Sequence, residues 1–231
     1  MTGVDARALH AAHNNAVWCD AVCRTHGVAT AFHSDAWVAA TRTPPMYPDA
    51  VTLARAADPR RLLARVDASP GCSVKDSFAS VDLSGAGMRV LFEAEWVHRP
   101  PATAADRAGG DQLRWRAVRT ADDLHAWAGV HGGGEVFRPG LLTDPDVVVL
   151  SAHADGALAG GVVANRSGPV VGVSNVFATT DPERLWHGIP AAVAAYFPGL
   201  PLVGYEGDEG LTAAARAGFV AVGRLRVWIA D

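Results

Sequence analysis

Lysine is almost absent from this sequence of 231 residues, since Lys75 is the only lysine among its 20 basic residues. Isoleucine is nearly absent too, with only Ile189 and Ile229, whereas alanine, valine and glycine are abundant. A preference for arginine can serve phosphate or carboxylate binding. Here the bias runs along the whole chain and matches the codons of a GC-rich genome. We therefore predict a bacterial source of high GC content and infer no ligand from the arginines.

Long apolar segments are also missing. No apolar run reaches about 18 residues, so no membrane span is expected, and Met1–Asn15 lacks the apolar segment of a secretory signal. The net charge of -4 does not indicate the basic surface that nucleic-acid-binding proteins usually carry. The cysteines are few and odd in number, which indicates reduced thiols: Cys19, Cys23 and Cys72. We predict a cytoplasmic protein that binds neither membranes nor nucleic acids.

Two histidines and two cysteines near the N-terminus are potential zinc ligands: His10, His13, Cys19 and Cys23. Zinc sites usually combine close cysteine and histidine pairs in loop-rich segments. The segment Asp5–Thr25 instead has the pattern of a single helix, with Cys19 and Cys23 one turn apart on the same face. A buried helix with small apolar cysteines is the favoured interpretation, and we predict no metal site.

The composition, with 49% hydrophobic and 19% charged residues, predicts a folded chain with a sizeable core. The length allows one large domain or two small ones. The segment 99–111 is rich in proline, alanine and glycine and lacks periodicity, so we predict a linker there. It would join an N-terminal α+β domain, residues 1–98, to a second domain, residues 112–231.

A β-hairpin is predicted near the end of the first half. Ser73–Leu83 and Met88–His98 read as its two strands, and the Ser-Gly-Ala-Gly sequence at 84–87 is typical of a turn. The second strand places four apolar residues on one face: Val90, Phe92, Ala94 and Trp96.

The second half has a sharper pattern of alternating strands and helices, in the order β–α–β–β–β–α–β–α–β. The predicted strands cover 113–118, 147–153, 157–165, 170–178, 202–206 and 220–229. The first predicted helix starts at the capping residue Thr120, and the other two cover 182–197 and 211–217. The helix over 182–197 is expected to begin irregularly, near Gly188-Ile189-Pro190.

Two pieces of this half resemble the GNAT superfamily of acyl-CoA-dependent N-acyltransferases. One is the strand Val173–Ala178 after two hairpin arms, and the other is the ending Leu211–Gly223, with its Ala-Arg-Ala-Gly-Phe run. The resemblance covers residues 113–231 and implies an α/β fold, built as an α+β arrangement on a mixed sheet. The helix and hairpin of residues 1–98 resemble the family more weakly, which suggests a degenerate second GNAT-like unit in tandem.

The resemblance also implies where acetyl-CoA would bind. In the family, pantetheine lies between the fourth and fifth strands and bonds to the backbone of the fourth. The corresponding residues here are Asn175, Val176 and Phe177. An ordinary central strand is an equally open interpretation of this segment.

A turn that binds pyrophosphate is the next feature of the family, at the start of the following helix, where backbone N–H groups point at the phosphates. The corresponding stretch Glu183–Pro190 departs from the pattern, because Leu185 replaces the usual arginine or glutamine and Pro190 has no N–H to donate. A helix start that binds nothing is therefore an open alternative. The candidates that remain for cofactor contact are Arg184, His187 and Gly188.

The catalytic groups implied by the resemblance are an acid and a base. Many members use a tyrosine in the last helix to protonate the departing thiolate, but that position is Ala214 here. Tyr205 is the nearest alternative acid, and Glu206 is the candidate base for the proton of the amine. The alternative for this acidic loop is a solvated turn before a helix, where acids are common anyway.

Two functions remain open at this level. The first is an acetyltransferase that moves an acetyl group from acetyl-CoA to an amine of a small molecule or peptide. The second is a catalytically degenerate protein with the same fold, which binds a small ligand or a protein. The apolar end of the chain, Val227-Trp228-Ile229, also allows a homodimer through the last strand.

Overall fold

The computed structural model describes residues 5–104, 106 and 113–231. The α-helices discussed below are α1 (Ala6–Thr25), α2 (Pro59–Leu63), α3 (Ala121–His131), α4 (Pro182–Ala194) and α5 (Asp208–Arg216). The strands are β1 (Thr30–Phe32), β2 (Ala36–Ala39), β3 (Ala50–Thr52), β4 (Ser73–Asp76), β5 (Met88–Arg99), β6 (Arg114–Ala117), β7 (Val147–Ala154), β8 (Ala157–Ser167), β9 (Val170–Ala178), β10 (Leu202–Glu206) and β11 (Val220–Ala230).

One continuous sheet joins these eleven strands, in the order β1-β2-β3-β4-β11-β5-β10-β9-β8-β7-β6. Both parallel and antiparallel pairs occur, which confirms the predicted mixed α/β class. The last strand, β11, lies between β4 and β5, and β5 in turn lies between β11 and β10. The two halves of the sequence therefore share a sheet.

The predicted division into domains stays a prediction. Arg99, the first residue of the proposed linker, belongs to β5, and positions 105 and 107–111 of that segment lie outside the described residues.

Among the residues described, no helix combines the length and the apolar character that a bilayer crossing needs. Val227, Trp228 and Ile229 of β11 pair with β5 on one side and with β4 on the other. The homodimer itself stays a prediction.

The predicted hairpin between residues 73 and 98 is wrong, because β11 separates β4 from β5. The first strand ends early, at Asp76, whose carboxylate accepts the backbone N–H of Phe78 (3.3 Å) and of Val81 (2.8 Å). Those bonds hold the following residues in an irregular loop instead of a strand. A strand far away in sequence supplies the pairing that a local turn pattern cannot reveal.

The apolar face predicted for β5 is only half buried. Ala94 and Trp96 are buried, whereas Val90 and Phe92 are 40% and 41% exposed, as is the neighbouring Leu91 at 46%. The inner half of β5 lies beneath α1, and its outer half extends beyond that helix. The exposed half leaves an apolar surface at this end of the sheet.

Helix α1 crosses the central strands and closes one face of the core. Its N-cap Asp5 accepts the N–H of Arg7, and Cys19 and Cys23 are buried on its inner side, as the favoured interpretation of this segment predicted. Burial raises the pKa of the Cys19 thiol to about 11. No group of three or more metal-binding side chains occurs within the described part of the chain.

The predicted elements of the second half are largely confirmed. Thr120 caps α3 by accepting the N–H of Asp123, and β9 has the predicted bounds. Asp155 and Gly156, with φ of 49° and 84°, form the turn between β7 and β8. These elements have strong local signals, so the sequence alone locates them.

Trp96 fixes the position of β5 in the sheet. Its side chain is fully buried, and its indole Nε1 donates to the carbonyl oxygen of Ser77 at 2.7 Å. We expect Trp96→Ala to lower the free energy of unfolding by about 3–5 kcal/mol, measured by denaturant titration. Trp96→Phe keeps most of the ring and should cost clearly less. Equal losses in the two variants would contradict this packing role.

Candidate functional site

A cleft opens where β9 and β10 separate. The two strands are parallel and pair only at Leu202 with Val171 and at Val203 with Gly172. β10 then continues along β5 as far as Glu206. Ligands of open α/β sheets commonly bind at the carboxyl ends of such strands.

An irregularity in β9 widens this cleft. The register between β8 and β9 shifts after the pair Val163 and Ser174, and Asn175 adopts a φ of 53° in the middle of the strand. Bulges of this kind redirect the local side chains and interrupt strand pairing. The backbone around Asn175 therefore faces the cleft instead of a full set of ladder partners.

A cavity of about 240 Å³ lies in the cleft. Its polar lining comes from distant parts of the chain: Asn15 on α1, Tyr47 in the loop before β3, Lys75 on β4, His131 at the end of α3, Asn175 on β9, and Tyr205 and Glu206 on β10. Convergence of several titratable groups on one cavity is typical of ligand-binding and catalytic sites.

Glu206 is the carboxyl group of this cavity. It is the last residue of β10, and burial raises its pKa to about 7. Gly210, in the first turn of α5, lies so close to its carboxylate that a Cβ there would collide with it. A carboxyl with this pKa is partly ionised near neutral pH and can both accept and release a proton.

Tyr205, the neighbour of Glu206, is held between two side chains. Its ring meets the Trp96 indole edge-on, with centroids 5.6 Å apart. The ammonium nitrogen of Lys75 lies 4.0 Å from the centre of the same ring, a cation–π contact. The position predicted for the acid is thus part of the cavity wall.

Lys75 is the functional candidate that the sequence analysis missed. The side chain is buried, with 3% of its surface exposed, and its ammonium donates a hydrogen bond to Asn15 Oδ1 at 2.8 Å. The sequence marks this position, because Lys75 is the only lysine of the chain.

Tyr47 was also missed, because its segment reads as a proline-rich break. The hydroxyl is buried near the side chains of Asn175 and Trp18, and it makes no hydrogen bond of ordinary geometry within the described residues. Burial raises the pKa of Tyr47 well above its usual value, so the group stays protonated. It therefore presents an O–H donor at the cavity.

Asp49 holds the loop that carries Tyr47. Its buried carboxylate accepts the backbone N–H of Thr43 and of Ser73, each at 2.9 Å, and pairs with Arg42 at 2.9 Å. These bonds join the loop to β4. One wall of the cavity thus depends on a single buried carboxylate.

His131 closes the cavity from the other side. Its ring stacks on Trp127, with centroids 5.2 Å apart, and burial lowers the pKa of the imidazole. The group is therefore neutral near pH 7. Its Nδ1 is buried without a hydrogen-bond partner among the described residues.

The three residues predicted to contact pantetheine divide between the cleft and the core. Asn175 and Val176 line the cavity. Phe177 pairs with Gly161 of β8, and its ring packs edge-on against Trp127 at 5.1 Å. The contact with pantetheine stays a prediction for all three.

Helix α4 begins at Pro182, as predicted, but the irregularity predicted near Gly188 is wrong. Asp181 caps the helix by accepting the N–H of Arg184 at 3.0 Å. Aspartate at the N-cap with proline at the first helical position is a strong start signal. Arg184, His187 and Gly188 therefore lie inside the helix. Their contact with a cofactor stays a prediction.

The phosphate end of acyl-CoA does not fit this helix start. Asp181 already occupies a backbone N–H, Pro182 has none, and Glu183 adds a second carboxylate, paired with Arg216. Gly188 serves packing, since a Cβ there would approach the Trp115 indole nitrogen to 2.7 Å. A pyrophosphate at the start of α4 would therefore meet carboxylates.

No protein-family profile matches the sequence, and no curated protein matches it either. A GCN5-related N-acetyltransferase from Kribbella flavida has a similar structure, with 13% identity, a TM-score of 0.68, and coverage of 96% of this chain and 95% of that one.

Two further structures agree over nearly the whole length. A GNAT-family protein from Novosphingobium aromaticivorans has 14% identity and a TM-score of 0.53, covering 95% of this chain and 99% of that one. A GCN5-related N-acetyltransferase-like protein from Streptococcus suis has 10% identity and a TM-score of 0.54, covering 98% and 99%. The likeness in fold thus extends over both halves, whereas the sequence resemblance was limited to residues 113–231.

Proposed function

We propose that this chain, which has the fold of the GCN5-related N-acetyltransferases, transfers an acyl group from a thioester to an amine bound in the cavity between β9 and β10. The observation that carries the proposal is Glu206, a carboxyl whose burial in this cavity raises its pKa to about 7. A base with a pKa near the working pH combines a usable ionised fraction with sufficient proton affinity.

The reaction requires two proton movements. The amine nitrogen attacks the thioester carbonyl, so that a C–N bond forms and the C–S bond breaks. Glu206 accepts the proton that the amine loses. The departing sulfur takes a proton from an O–H donor at the cavity, for which the described residues offer Tyr205 and Tyr47.

Tyr47 is the better placed donor, since its hydroxyl is buried and unpaired among the described residues. We expect Tyr47→Phe to lower kcat by at least about tenfold and, because it removes an unsatisfied buried hydroxyl, to leave the fold at least as stable. Tyr205→Phe should lower kcat less. Both are measured by steady-state kinetics beside a melting curve, and a larger loss in Tyr205→Phe would assign the proton to Tyr205 instead.

The helix start at Asp181 predicts that the nucleotide half of coenzyme A contributes little binding. We expect kcat/KM for acetyl-CoA and for S-acetylpantetheine to agree within about threefold, since a phosphate site of charge-assisted hydrogen bonds would separate them by about tenfold or more. Both donors are compared with the same amine. A strong preference for acetyl-CoA would show that α4 binds phosphate after all.

Thiol release tests the proposal as a whole. The chain is mixed with acetyl-CoA or S-acetylpantetheine and a panel of primary amines, and free thiol is followed against time with an enzyme-free control. Release that depends on both chain and amine supports the proposal. Absence of release with every amine would contradict it.

The same helix start favours a second candidate function, a catalytically degenerate protein that binds a small ligand in the cavity. That protein would bind an amine saturably in calorimetry without releasing thiol from either donor. Calorimetry and thiol release performed on one preparation therefore separate the two functions.

A further inference from the structure

A second cavity meets the first at Lys75. This apolar groove, of about 510 Å³, lies along the outer halves of β5 and β11 and is lined there by Leu91, Phe92, Val227 and Ile229. Five residues line both cavities: Met46, Tyr47, Pro48, Lys75 and Tyr205. A ligand at Lys75 therefore has a polar space on one side and an apolar space on the other.

The charge of Lys75 has no counter-ion in the described part of the chain. Its hydrogen-bond partner is the neutral amide oxygen of Asn15, and its other contact is the ring of Tyr205. An ammonium has three N–H donors, so at least one faces the cavity without a protein acceptor. Burying a cation without an anion is unfavourable, and the bound ligand is a natural source of the missing charge.

Nearby carboxylates are engaged elsewhere. Asp49 is bonded to Arg42 and to two backbone N–H groups. Asp76, the neighbour of Lys75 on β4, accepts N–H groups from the loop that follows it. Glu206 lines the same small cavity but forms no ion pair with Lys75. The cavity thus contains a fixed cation at one position and a proton acceptor at another.

We propose that the acceptor is an apolar α-amino acid or a close analogue. Its carboxylate pairs with Lys75, its amine faces Glu206, and its side chain lies in the apolar groove along the outer halves of β5 and β11. This assignment rests on the proposed function only for the fate of the amine; the binding mode stands on Lys75 and the groove. The groove volume is within the range of small-molecule sites, about 300–1,000 Å³.

Binding without any thioester tests this proposal on the full chain. Isothermal titration is performed with L-phenylalanine, with phenethylamine, which lacks the carboxylate, and with glycine, which lacks the side chain. We expect phenylalanine to bind at least about tenfold more tightly than either of the others, because phenethylamine lacks one charge-assisted pair and glycine lacks the apolar side chain. Phenethylamine binding as tightly as phenylalanine would overturn the proposal, and so would phenylalanine that does not bind.

Lys75→Met removes the charge and retains most of the side-chain volume. This variant should lose the preference for phenylalanine over phenethylamine, whereas Arg60→Met, which removes an exposed charge on α2, should keep it. A retained preference in Lys75→Met would assign the carboxylate to another group. If Lys75→Met does not fold, the comparison of ligands on the unaltered chain still decides.

The outcomes also separate this proposal from the proposed function. Phenylalanine that binds through its carboxylate without thiol release would support the binding mode and contradict acyl transfer. Acylation of phenethylamine, with phenylalanine neither bound nor acylated, would support acyl transfer and overturn the assignment of the acceptor.

Discussion

Replacing Glu206 by glutamine should lower kcat for acyl transfer by a factor of about 10²–10⁴, the usual contribution of a general base. Glutamine has nearly the same shape and remains uncharged, so the cavity is preserved while the proton acceptor is lost. The measurement is steady-state thiol release at pH 8, where most of the Glu206 carboxyl is ionised given its pKa of about 7.

The same substitution should make the fold more stable at that pH. Burial raises the pKa of Glu206 from 4.5 in its unperturbed state to about 7. The raised pKa stabilises the folded chain fully at pH values below 4.5, and this stabilisation is lost as the pH rises through about 7. Glutamine avoids this loss, so we expect a gain of the order of 2–3 kcal/mol at pH 8 and almost none at pH 4.

A more stable but inactive variant would exclude misfolding as the cause of the lost activity. The matched control is Glu209→Gln, which removes an exposed carboxylate in the first turn of α5. It should retain the activity of the unaltered chain. If Glu206→Gln and Glu209→Gln had the same kcat, Glu206 would not be the base.

Asp49→Ala should be strongly destabilising, lowering the free energy of unfolding by about 3–5 kcal/mol. The change leaves the backbone N–H groups of Thr43 and Ser73 without their acceptor and Arg42 without its closest partner. Because the loop at 43–49 carries Tyr47, activity should fall too. The free energy is measured by urea titration followed through tryptophan fluorescence.

Asp67→Ala is the control for this experiment. Asp67 also approaches Arg42, at 3.8 Å, but its side chain is 52% exposed. Exposed pairs of this kind contribute about 0–1 kcal/mol. Similar losses in Asp49→Ala and Asp67→Ala would mean that the loop is not held by the buried carboxylate.

Elements with local signals were predictable from the sequence. The caps Asp5, Asp58 and Thr120 each accept a backbone N–H at the start of a helix, and the Asp155-Gly156 turn joins β7 to β8. These interactions connect residues a few positions apart, so that the pattern of a short window contains them. The bounds of α1, β9 and β10 follow for the same reason.

The insertion of β11 between β4 and β5 was not predictable. Ser84–Gly87 has the composition of a hairpin turn, and the local pattern of β5 suits pairing with β4 equally well. Only the complete sheet, with a strand more than 120 positions later in the chain, decides the pairing. Such non-local pairing leaves no trace in periodicity.

Part of the candidate site was predictable from the sequence, and part of it was not. Tyr205 and Glu206 were predicted from the order of elements around β10, and both line the cavity. Lys75 and Tyr47 come from the first half, which had no readable function, and long-range packing brings them to the same place. The phosphate turn implied by the resemblance stays a prediction, and the start of α4 at Asp181-Pro182 places a capping carboxylate there.

The pH dependence of kcat is the most direct test of Glu206 as the base that drives acyl transfer. Thiol release by the unaltered chain is measured at saturating amine and thioester between pH 5 and 9. We expect kcat to rise through an apparent pKa near 7, the value of Glu206, and this inflection to be absent from Glu206→Gln. A profile that is the same in both proteins, or thiol release no faster than without the chain, would contradict the proposed function.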